Sequence, residues 1–390
     1  MKKKQLLVVL NHLTIGGVQK TLITASKNFD YEKYDVTIYL RRNRTDLLPY
    51  IDKRAKVIVN NDPNHYYRKP FALKLQLQIM IAKLLKDKSK VKALESELKS
   101  QICHATMSYE QKTHFNSLNY DIAIAYVHGY PALLVDKYIN AKKKIIFFRT
   151  STDELHEVHE KIIANFDKVM SLMEEQKALI KTWYPIVEDR IFIVENYIDK
   201  EAIIAQSKEK QLPKYDSKYT ICSCGRFAMV KGFDLAVEAA KELKERGISF
   251  LWYFVGDGSD RTYIEELIRK YGLTEEIVLT GMQKNPYPYM AACDVYVQPS
   301  REEALVNTVN EAQKLCKPVV STKTLGGLKF IDSEEKGLIC DFTGKSIADG
   351  IERILKDEML RKKIENNLQS IDYSFQNEKY KEQWRAVLED

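Results

Sequence analysis

The sequence contains no apolar run of the roughly 20 residues that a helix needs to cross a bilayer. Its basic start is followed only by the short apolar stretch Leu6–Leu10. That stretch is shorter than the apolar core of a secretory signal, and no small-residue cleavage site follows it. We therefore interpret Leu6–Leu10 as a first buried strand and expect a cytoplasmic protein.

Cysteine is also scarce, with six residues in 390, which favours reduced thiols over a disulfide framework. Cys222 and Cys224 lie in a predicted strand, so their side chains point to one face and are expected in the core. No second cysteine pair completes a zinc site. His156 and His159 have a helical spacing, but without further ligands a solvated helix face is the preferred interpretation. We expect no metal site.

Positive charge is concentrated in one region. The chain carries a net charge of +7, and Lys and Arg are dense in residues 68–99. No nucleic-acid recognition motif accompanies this charge, so we expect no nucleic-acid partner. The region is amphipathic and basic, which fits a segment docked on an anionic membrane. It equally fits a helical pair packed on its own domain with a solvated basic face, and both interpretations stay open.

Short apolar runs alternate with helical patterns along nearly the whole chain, which predicts parallel sheets covered by helices on both faces. The first series of strands is predicted at 6–10, 34–40, 121–126, 144–148, 168–172 and 191–194. The second series is predicted at 219–224, 250–255, 277–279, 295–298, 318–321 and 337–340. The predicted fold class is α/β, with two Rossmann-like doubly wound parallel-sheet domains that face a cleft. The alternation stops at 196–214, which we interpret as a linker.

Glycine loops follow several predicted strands, at the sheet edge where such folds bind ligands. Gly16 and Gly17 lie between the first strand and the first helix. Arg226 and Lys231 flank a turn after the first strand of the second series, where an Arg fork and a mobile Lys can hold a diphosphate without a metal. Gly256 lies in a Gly-Asp-Gly turn that leaves room for a nucleotide. None of these loops is a dinucleotide fingerprint or a P-loop.

A pair of acids forms the strongest constellation. Glu303 lies at a predicted strand-to-helix junction, and Glu311 follows eight residues later, about two helical turns on. This spacing predicts that both acids lie near one helix face. Acids so spaced usually form a solvated face, but Glu311 interrupts an apolar run, which argues against simple exposure. Carboxylates in this setting can accept hydrogen bonds from hydroxyl groups.

Five segments in register resemble the retaining glycosyltransferases of family 4, which have the two-domain B fold. They are Gly16-Gly17, the hinge-like 193–199, the loop 225–232, the E-x7-E pair of Glu303 and Glu311, and 318–327. The resemblance covers nearly the whole chain. It implies an acceptor-binding domain at 1–198, a nucleotide-sugar-binding domain at 199–372 and a C-terminal helix at 373–390 that packs back on the first domain.

The resemblance also implies residue roles. Arg226 and Lys231 would bind the donor diphosphate and stabilise the leaving group. Glu303 would contact the donor sugar and Glu311 the ribose. His128, after a strand of the first domain, would lie beside the transferred sugar, although a structural histidine is an equal alternative. The further donor-binding positions are Gly16, Gly17, Gly225, Gly256, Gly326, Gly327 and Leu328.

The implied reaction is transfer of a sugar from a nucleoside-diphosphate sugar to a hydroxyl acceptor. The expected acceptor is a glycan, a glycolipid or a polyol phosphate, in the assembly of bacterial cell-surface polysaccharide or glycolipid. No metal or other cofactor is expected. A nucleotide-sugar 2-epimerase of the same architecture and a catalytically degenerate sugar-nucleotide-binding protein remain as alternatives.

Overall fold

The computed structural model describes residues 2–60, 70–85, 88–115, 118–149, 162–213, 217–303 and 305–389. The chain divides into two compact units. Met1–Glu195 together with Glu378–Asp390 make the first, and Asn196–Asn377 make the second. Each unit has its own parallel sheet, so the predicted α/β class with two Rossmann-like domains is confirmed.

Seven strands form the sheet of the first unit. They are β1 (Lys4–Leu10), β2 (Tyr34–Leu40), β3 (Lys56–Val59), β4 (Tyr120–Ala125), β5 (Ala141–Phe147), β6 (Lys168–Ser171) and β7 (Ile191–Ile193). Their order is β3-β2-β1-β4-β5-β6-β7. The chain therefore reverses direction across the sheet between β1 and β4, where such folds bind ligands. The sequence patterns missed β3, because this short strand lies at the sheet edge and none of its residues is buried.

The helices of the first unit connect these strands. They are α1 (Gly17–Asn28), α2 (Pro70–Leu84), α3 (Lys88–Glu110), α4 (Tyr130–Tyr138) and α5 (Glu174–Trp183). Pro131 stands in the first turn of α4, where its missing N–H costs no hydrogen bond. His156 and His159, and most of the helix predicted around them, lie outside the described residues.

Six strands form the sheet of the second unit. They are β8 (Tyr219–Cys224), β9 (Phe250–Val255), β10 (Ile277–Gly281), β11 (Val295–Gln298), β12 (Val319–Thr322) and β13 (Leu338–Cys340). Their order is β10-β9-β8-β11-β12-β13. Along β9, Trp252 and Phe254 enter one core cluster, while Leu251 and Tyr253 enter another. Both faces of this sheet are therefore covered, as continuous apolar strands predict.

The helices of the second unit are α6 (Lys200–Ser207), α7 (Phe233–Glu245), α8 (Arg261–Lys270), α9 (Tyr287–Ala292), α10 (Asn307–Lys314), α11 (Leu325–Phe330), α12 (Gly344–Lys356) and α13 (Glu358–Ser370). The prediction of a linker over 196–214 was wrong in part, because α6 occupies its centre. Asp199 caps α6 by accepting a hydrogen bond from the Ala202 N–H. Ile203 is buried in the core of the second unit.

The last helix, α14 (Gln376–Glu389), begins three residues later than the predicted C-terminal helix. From Glu378 onward the chain belongs to the first unit. Tyr380 and Trp384 are buried there, and the Lys168 Nζ donates a hydrogen bond to the Ala386 carbonyl at 2.9 Å.

Candidate active site

The loop after β8 and the loop after β11 lie together at one edge of the second sheet. β8 and β11 are neighbouring parallel strands, so their carboxyl ends reach the same edge. The first loop ends in a 3-10 turn, Met229–Lys231, and enters α7 at Gly232. Gly232 has φ +66°, and a Cβ on it would lie 2.0 Å from the Pro299 carbonyl oxygen. Only glycine allows this close approach of the two loops.

Lys231 and Glu303 meet at this edge. The Lys231 Nζ lies 2.7 Å from the Glu303 Oε1, and the two side chains are 24% and 13% exposed. The Ser300 hydroxyl donates to the same carboxylate oxygen at 3.1 Å. Among the described residues, the second oxygen, Oε2, has no hydrogen-bond partner. One carboxylate oxygen of Glu303 is therefore hydrogen-bonded within the protein, and the other can accept a hydrogen bond from a hydroxyl group.

A buried polar network holds Ser300 in turn. The Gln298 Nε2 donates to the Ser300 hydroxyl at 2.8 Å. The Gln298 Oε1 accepts hydrogen bonds from the hydroxyls of Tyr296 at 3.0 Å and Thr308 at 2.7 Å. Both Gln298 and Ser300 are buried, so this satisfied network orients Glu303. The sequence analysis missed it, although Gln298 and Ser300 at the end of an apolar strand were a usable signal.

The cations near this edge differ in what they contact. The two Nη atoms of Arg301 donate to the two carboxylate oxygens of Asp234, at 2.7 and 2.6 Å. Asp234 is buried, so this bidentate pair is a structural anchor, and the sequence analysis missed it. Arg226 is exposed, and it makes no ion pair or hydrogen bond with another described residue. Arg226 and Lys231 are therefore the cations that this loop can present to an anion.

Gly225 and Gly256 bring two further loops into contact. A Cβ on Gly256, at φ +152°, would lie 1.8 Å from the Gly225 carbonyl oxygen. The Gly225 N–H donates to the Val255 carbonyl at 3.0 Å. The loops after β8 and β9 thus touch through their backbones, which explains Gly256 by packing. A Cβ on Gly225 would lie 3.3 Å from the Phe233 ring. Whether they also border a nucleotide stays a prediction.

Gly326, Gly327 and Leu328 were predicted to bind the donor, and the amide of each donates a hydrogen bond within the chain. The Gly326 N–H donates to the Glu303 carbonyl at 3.0 Å. The Gly327 N–H donates to the Thr324 hydroxyl at 3.1 Å, and the Leu328 N–H to the Thr324 carbonyl at 2.9 Å. The Gly326 amide joins the start of α11 to the Glu303 loop. Contact of these three residues with a donor stays a prediction.

Glu303 and Glu311 do not share a helix face, which corrects the predicted geometry. α10 begins only at Asn307, so Glu303 lies in the preceding loop. Glu311 is 4% exposed, and its Oε1 accepts a hydrogen bond from the Tyr287 hydroxyl at 3.1 Å. Its burial agrees with the apolar run around it. Its contact with a ribose stays a prediction.

The predicted residues of the first unit lie at the carboxyl ends of β1 and β4, which are neighbouring strands. Gly16 precedes α1 and Gly17 is its first residue. His128 follows β4, and its ring centroid lies 5.7 Å from that of Phe148.

The sequence analysis missed His12, at the carboxyl end of β1. Its Nδ1 lies 3.0 Å from the Thr14 hydroxyl and 3.4 Å from the Gln19 Nε2. Burial, followed by the charges of Arg42 and Arg44, lowers the pKa of His12. The neutral imidazole is therefore favoured at this edge.

Residues 205–370 match the family described as Glycosyl transferases group 1. The lipopolysaccharide core biosynthesis glycosyltransferase LpsE of Rhizobium meliloti (strain 1021) is 31% identical over 175 residues, which are 45% of this chain and 50% of that protein. The uncharacterized glycosyltransferase MJ1059 of Methanocaldococcus jannaschii is 25% identical over 440 residues, covering 100% of this chain and 98% of that protein. A crystal structure of Anabaena Alr3699/HepE in complex with UDP covers 99% of both chains, with a TM-score of 0.71 at 16% identity, and so shares the fold.

The matched region contains the Arg226–Lys231 loop, the Glu303 loop and Glu311. Residues 205–370, less than half of the chain, are therefore similar to the group 1 glycosyltransferases. The chain covers half the length of LpsE and nearly all of MJ1059.

Proposed function

We propose that this chain transfers a sugar from a nucleoside-diphosphate sugar to a hydroxyl acceptor, with retention of anomeric configuration. The observation that carries the proposal is the Lys231–Glu303 contact of 2.7 Å, made by a loop that also carries the exposed Arg226. It combines cations for a diphosphate with a carboxylate oriented for sugar hydroxyls. Retention follows from the resemblance to the retaining family.

In the proposed reaction, the bond between the anomeric carbon and the diphosphate oxygen breaks. Negative charge then develops on the leaving diphosphate, where Arg226 and Lys231 would stabilise it. The acceptor hydroxyl attacks from the same face, forms the new glycosidic bond and gives its proton to the departing phosphate oxygen. Because the two cations balance this charge, we expect turnover without a divalent metal.

The remaining contacts are assigned to the same donor. The Glu303 Oε2 would accept a hydrogen bond from a sugar hydroxyl, because the Oε1 already accepts from Lys231 and Ser300. Glu311 would accept ribose hydroxyls after exchange of its bond with Tyr287. His128 would lie beside the transferred sugar, and Gly17 would lie close to the diphosphate or the acceptor.

The donor nucleotide and the acceptor are inferred from relatives. Anabaena Alr3699/HepE was crystallised in complex with UDP, which supports a UDP-sugar donor. LpsE is named for lipopolysaccharide core biosynthesis, which supports a glycan or glycolipid acceptor.

The decisive experiment measures donor turnover by the Arg226→Ala and Lys231→Ala variants. We expect each to lower turnover about 10²- to 10³-fold, as loss of one charge-stabilising donor does in other enzymes. Lys345→Ala is the matched control, because Lys345 is also an exposed lysine of the second unit. Near-normal turnover by both site variants would contradict the proposed role of Arg226 and Lys231.

Two further arms separate the alternatives. Chelation with EDTA should leave turnover unchanged if the cations act without a metal. The donor is also incubated without acceptor. A sugar epimer formed in that arm would identify a 2-epimerase, and absence of any hydrolysis or transfer in all arms would favour a degenerate binding protein.

A further inference from the structure

Helix α2 is apolar on two opposite faces. On one face, Ala72, Leu75 and Ile79 pack with Leu98 of α3 in a small buried cluster. A helical pair therefore exists here, as one interpretation of the sequence expects. This cluster uses only one face of α2 and leaves the composition of the opposite face unexplained.

The opposite face carries large apolar side chains that lie in solvent. A stripe with spacings of four, three and four residues is formed by Leu73 (54% exposed), Leu77 (53%), Met80 (53%) and Leu84 (75%). Such spacing places side chains along one side of a helix. Ile81 and Leu85 extend the stripe, at 46% and 71% exposed. A contiguous exposed apolar patch of this kind marks an interaction surface.

Two lysines flank this stripe. Lys74 and Lys83 lie on its two sides along α2, and both are exposed. The Lys83 Nζ also lies 3.0 Å from the Glu95 Oε1 of α3, and the Lys83 side chain stays 59% exposed beside that ion pair. Residues 68–99 contain nine Lys and Arg against three Asp and Glu, a net charge of +6 out of +7 for the whole chain. Nearly all the excess positive charge of the sequence therefore lies in the segment that contains α2.

The length of α2 limits what this surface can do. The helix has 15 residues, whereas spanning a bilayer takes about 20. Among the described residues, no helix is long and apolar enough to cross a membrane. An apolar face with basic borders instead suits a helix that lies in the plane of a lipid interface.

We propose that the outer face of α2 binds an anionic membrane surface, with Leu73, Leu77, Met80 and Leu84 among the lipid headgroups and the basic residues on lipid phosphates. The charge decides the partner, because anionic lipid attracts a cluster of Lys and Arg. This inference goes beyond the proposed transfer reaction and does not depend on it.

The test is sedimentation of the full chain with two kinds of vesicle, pure phosphatidylcholine and phosphatidylcholine with about 30% phosphatidylglycerol. The wild type should bind the anionic vesicles, and binding should weaken as salt rises from about 0.1 to about 0.5 M. The Leu77→Gln/Leu84→Gln variant should bind at least tenfold more weakly. Lys74→Gln/Lys83→Gln should weaken binding to anionic vesicles only.

Met359→Gln is the matched control, because Met359 is an 85% exposed apolar residue of the second unit, and it should bind as the wild type does. Circular dichroism and thermal melting establish that each variant is folded. Equal binding by the wild type and Leu77→Gln/Leu84→Gln would overturn the proposal. A wild-type dimer that binds no vesicles and dissociates in that variant would also overturn it, since the face would then join two copies of the chain.

Discussion

Gly232 makes the closest glycine contact between the two loops of the candidate site. Its φ of +66° and the 2.0 Å approach to the Pro299 carbonyl both disfavour a side chain. Gly247 has a similar φ of +69°, but a Cβ there would meet nothing within 4 Å. Comparing substitutions at the two glycines therefore distinguishes the cost of backbone strain from the cost of disturbed loop packing.

We expect Gly247→Ala to lower the free energy of unfolding by about 1–2 kcal/mol, the cost of a left-handed residue with a Cβ. Gly232→Ala should cost clearly more, because the Pro299 carbonyl must also shift. It should reduce donor turnover as well, since the Glu303 loop shifts with it. Chemical denaturation and a turnover assay measure both effects, and equal losses in the two variants would contradict this account.

At the residue scale, the candidate site was predictable in composition but not in pairing. Arg226, Lys231 and Glu303 stand out because they follow apolar strands beside glycines. The Lys231–Glu303 contact joins residues 72 positions apart, and local patterns carry no information on such a contact. Local patterns also could not show that Arg301 forms an ion pair with Asp234 whereas Arg226 is exposed.

At the element scale, strands that are buried on both faces were predictable because their apolar runs are continuous. The residue at which α10 begins was not predictable. Residues 302–306 include good helix formers, but tertiary contacts override that propensity. The Arg301 N–H donates to the Val230 carbonyl, and the Glu303 carbonyl accepts from the Gly326 N–H. These bonds hold the backbone at Arg301 and Glu303 outside the helix.

Lys314, the last residue of α10, is a buried lysine in the second unit, at 1% exposed. Its Nζ donates to the Gln376 Oε1 at 2.8 Å and lies 3.7 Å from the centroid of the Tyr373 ring. Burial, with a smaller contribution from the charge of Lys200, lowers the pKa of Lys314 to about 8. Glu201 and Asp199 act in the opposite direction.

The lowered pKa predicts a specific dependence of stability on pH. Between about pH 8 and the ordinary lysine range, the unfolded chain binds a proton that the folded chain releases, so stability rises with pH. The slope from this group is at most about 1.4 kcal/mol per pH unit. Denaturation from about pH 7.5 to 9.5 should show this rise in the wild type and not in Lys314→Met.

The control is Lys241→Met, which replaces a lysine that is 42% exposed and pairs with Glu245. It should keep the wild-type pH dependence. A parallel pH dependence in the wild type and Lys314→Met would show that Lys314 does not titrate in this range.

At the scale of the whole molecule, the two sheets share a plan that the alternation of strands and helices predicts. In each, the chain reverses direction across the sheet beside the first strand of the unit, at β1 and β4 or at β8 and β11. The residues at which the chain passes from one unit to the other were harder to predict from the sequence. The units divide at Glu195 and Asn377, because α6 packs in the second core and α14 in the first, and such packing leaves little local signal.

The return of the chain to the first unit can be tested at Trp384. This side chain is 2% exposed, and its ring meets that of Phe29 edge to face at 5.1 Å. Removing a buried aromatic ring costs about 3–5 kcal/mol, so Trp384→Ala should destabilise the first unit. Hydrogen exchange followed by mass spectrometry should show faster exchange in peptides of β1 and β2.

Peptides of β8 and β11 should keep their wild-type exchange in Trp384→Ala, because the second unit has its own core clusters. Phe375→Ala is the control, since Phe375 precedes α14 and is 60% exposed; it should leave both sets of peptides unchanged. If Trp384→Ala accelerated exchange equally in both sets, the two units would unfold as one cooperative body. The C-terminal segment would then stabilise the whole chain rather than the first unit.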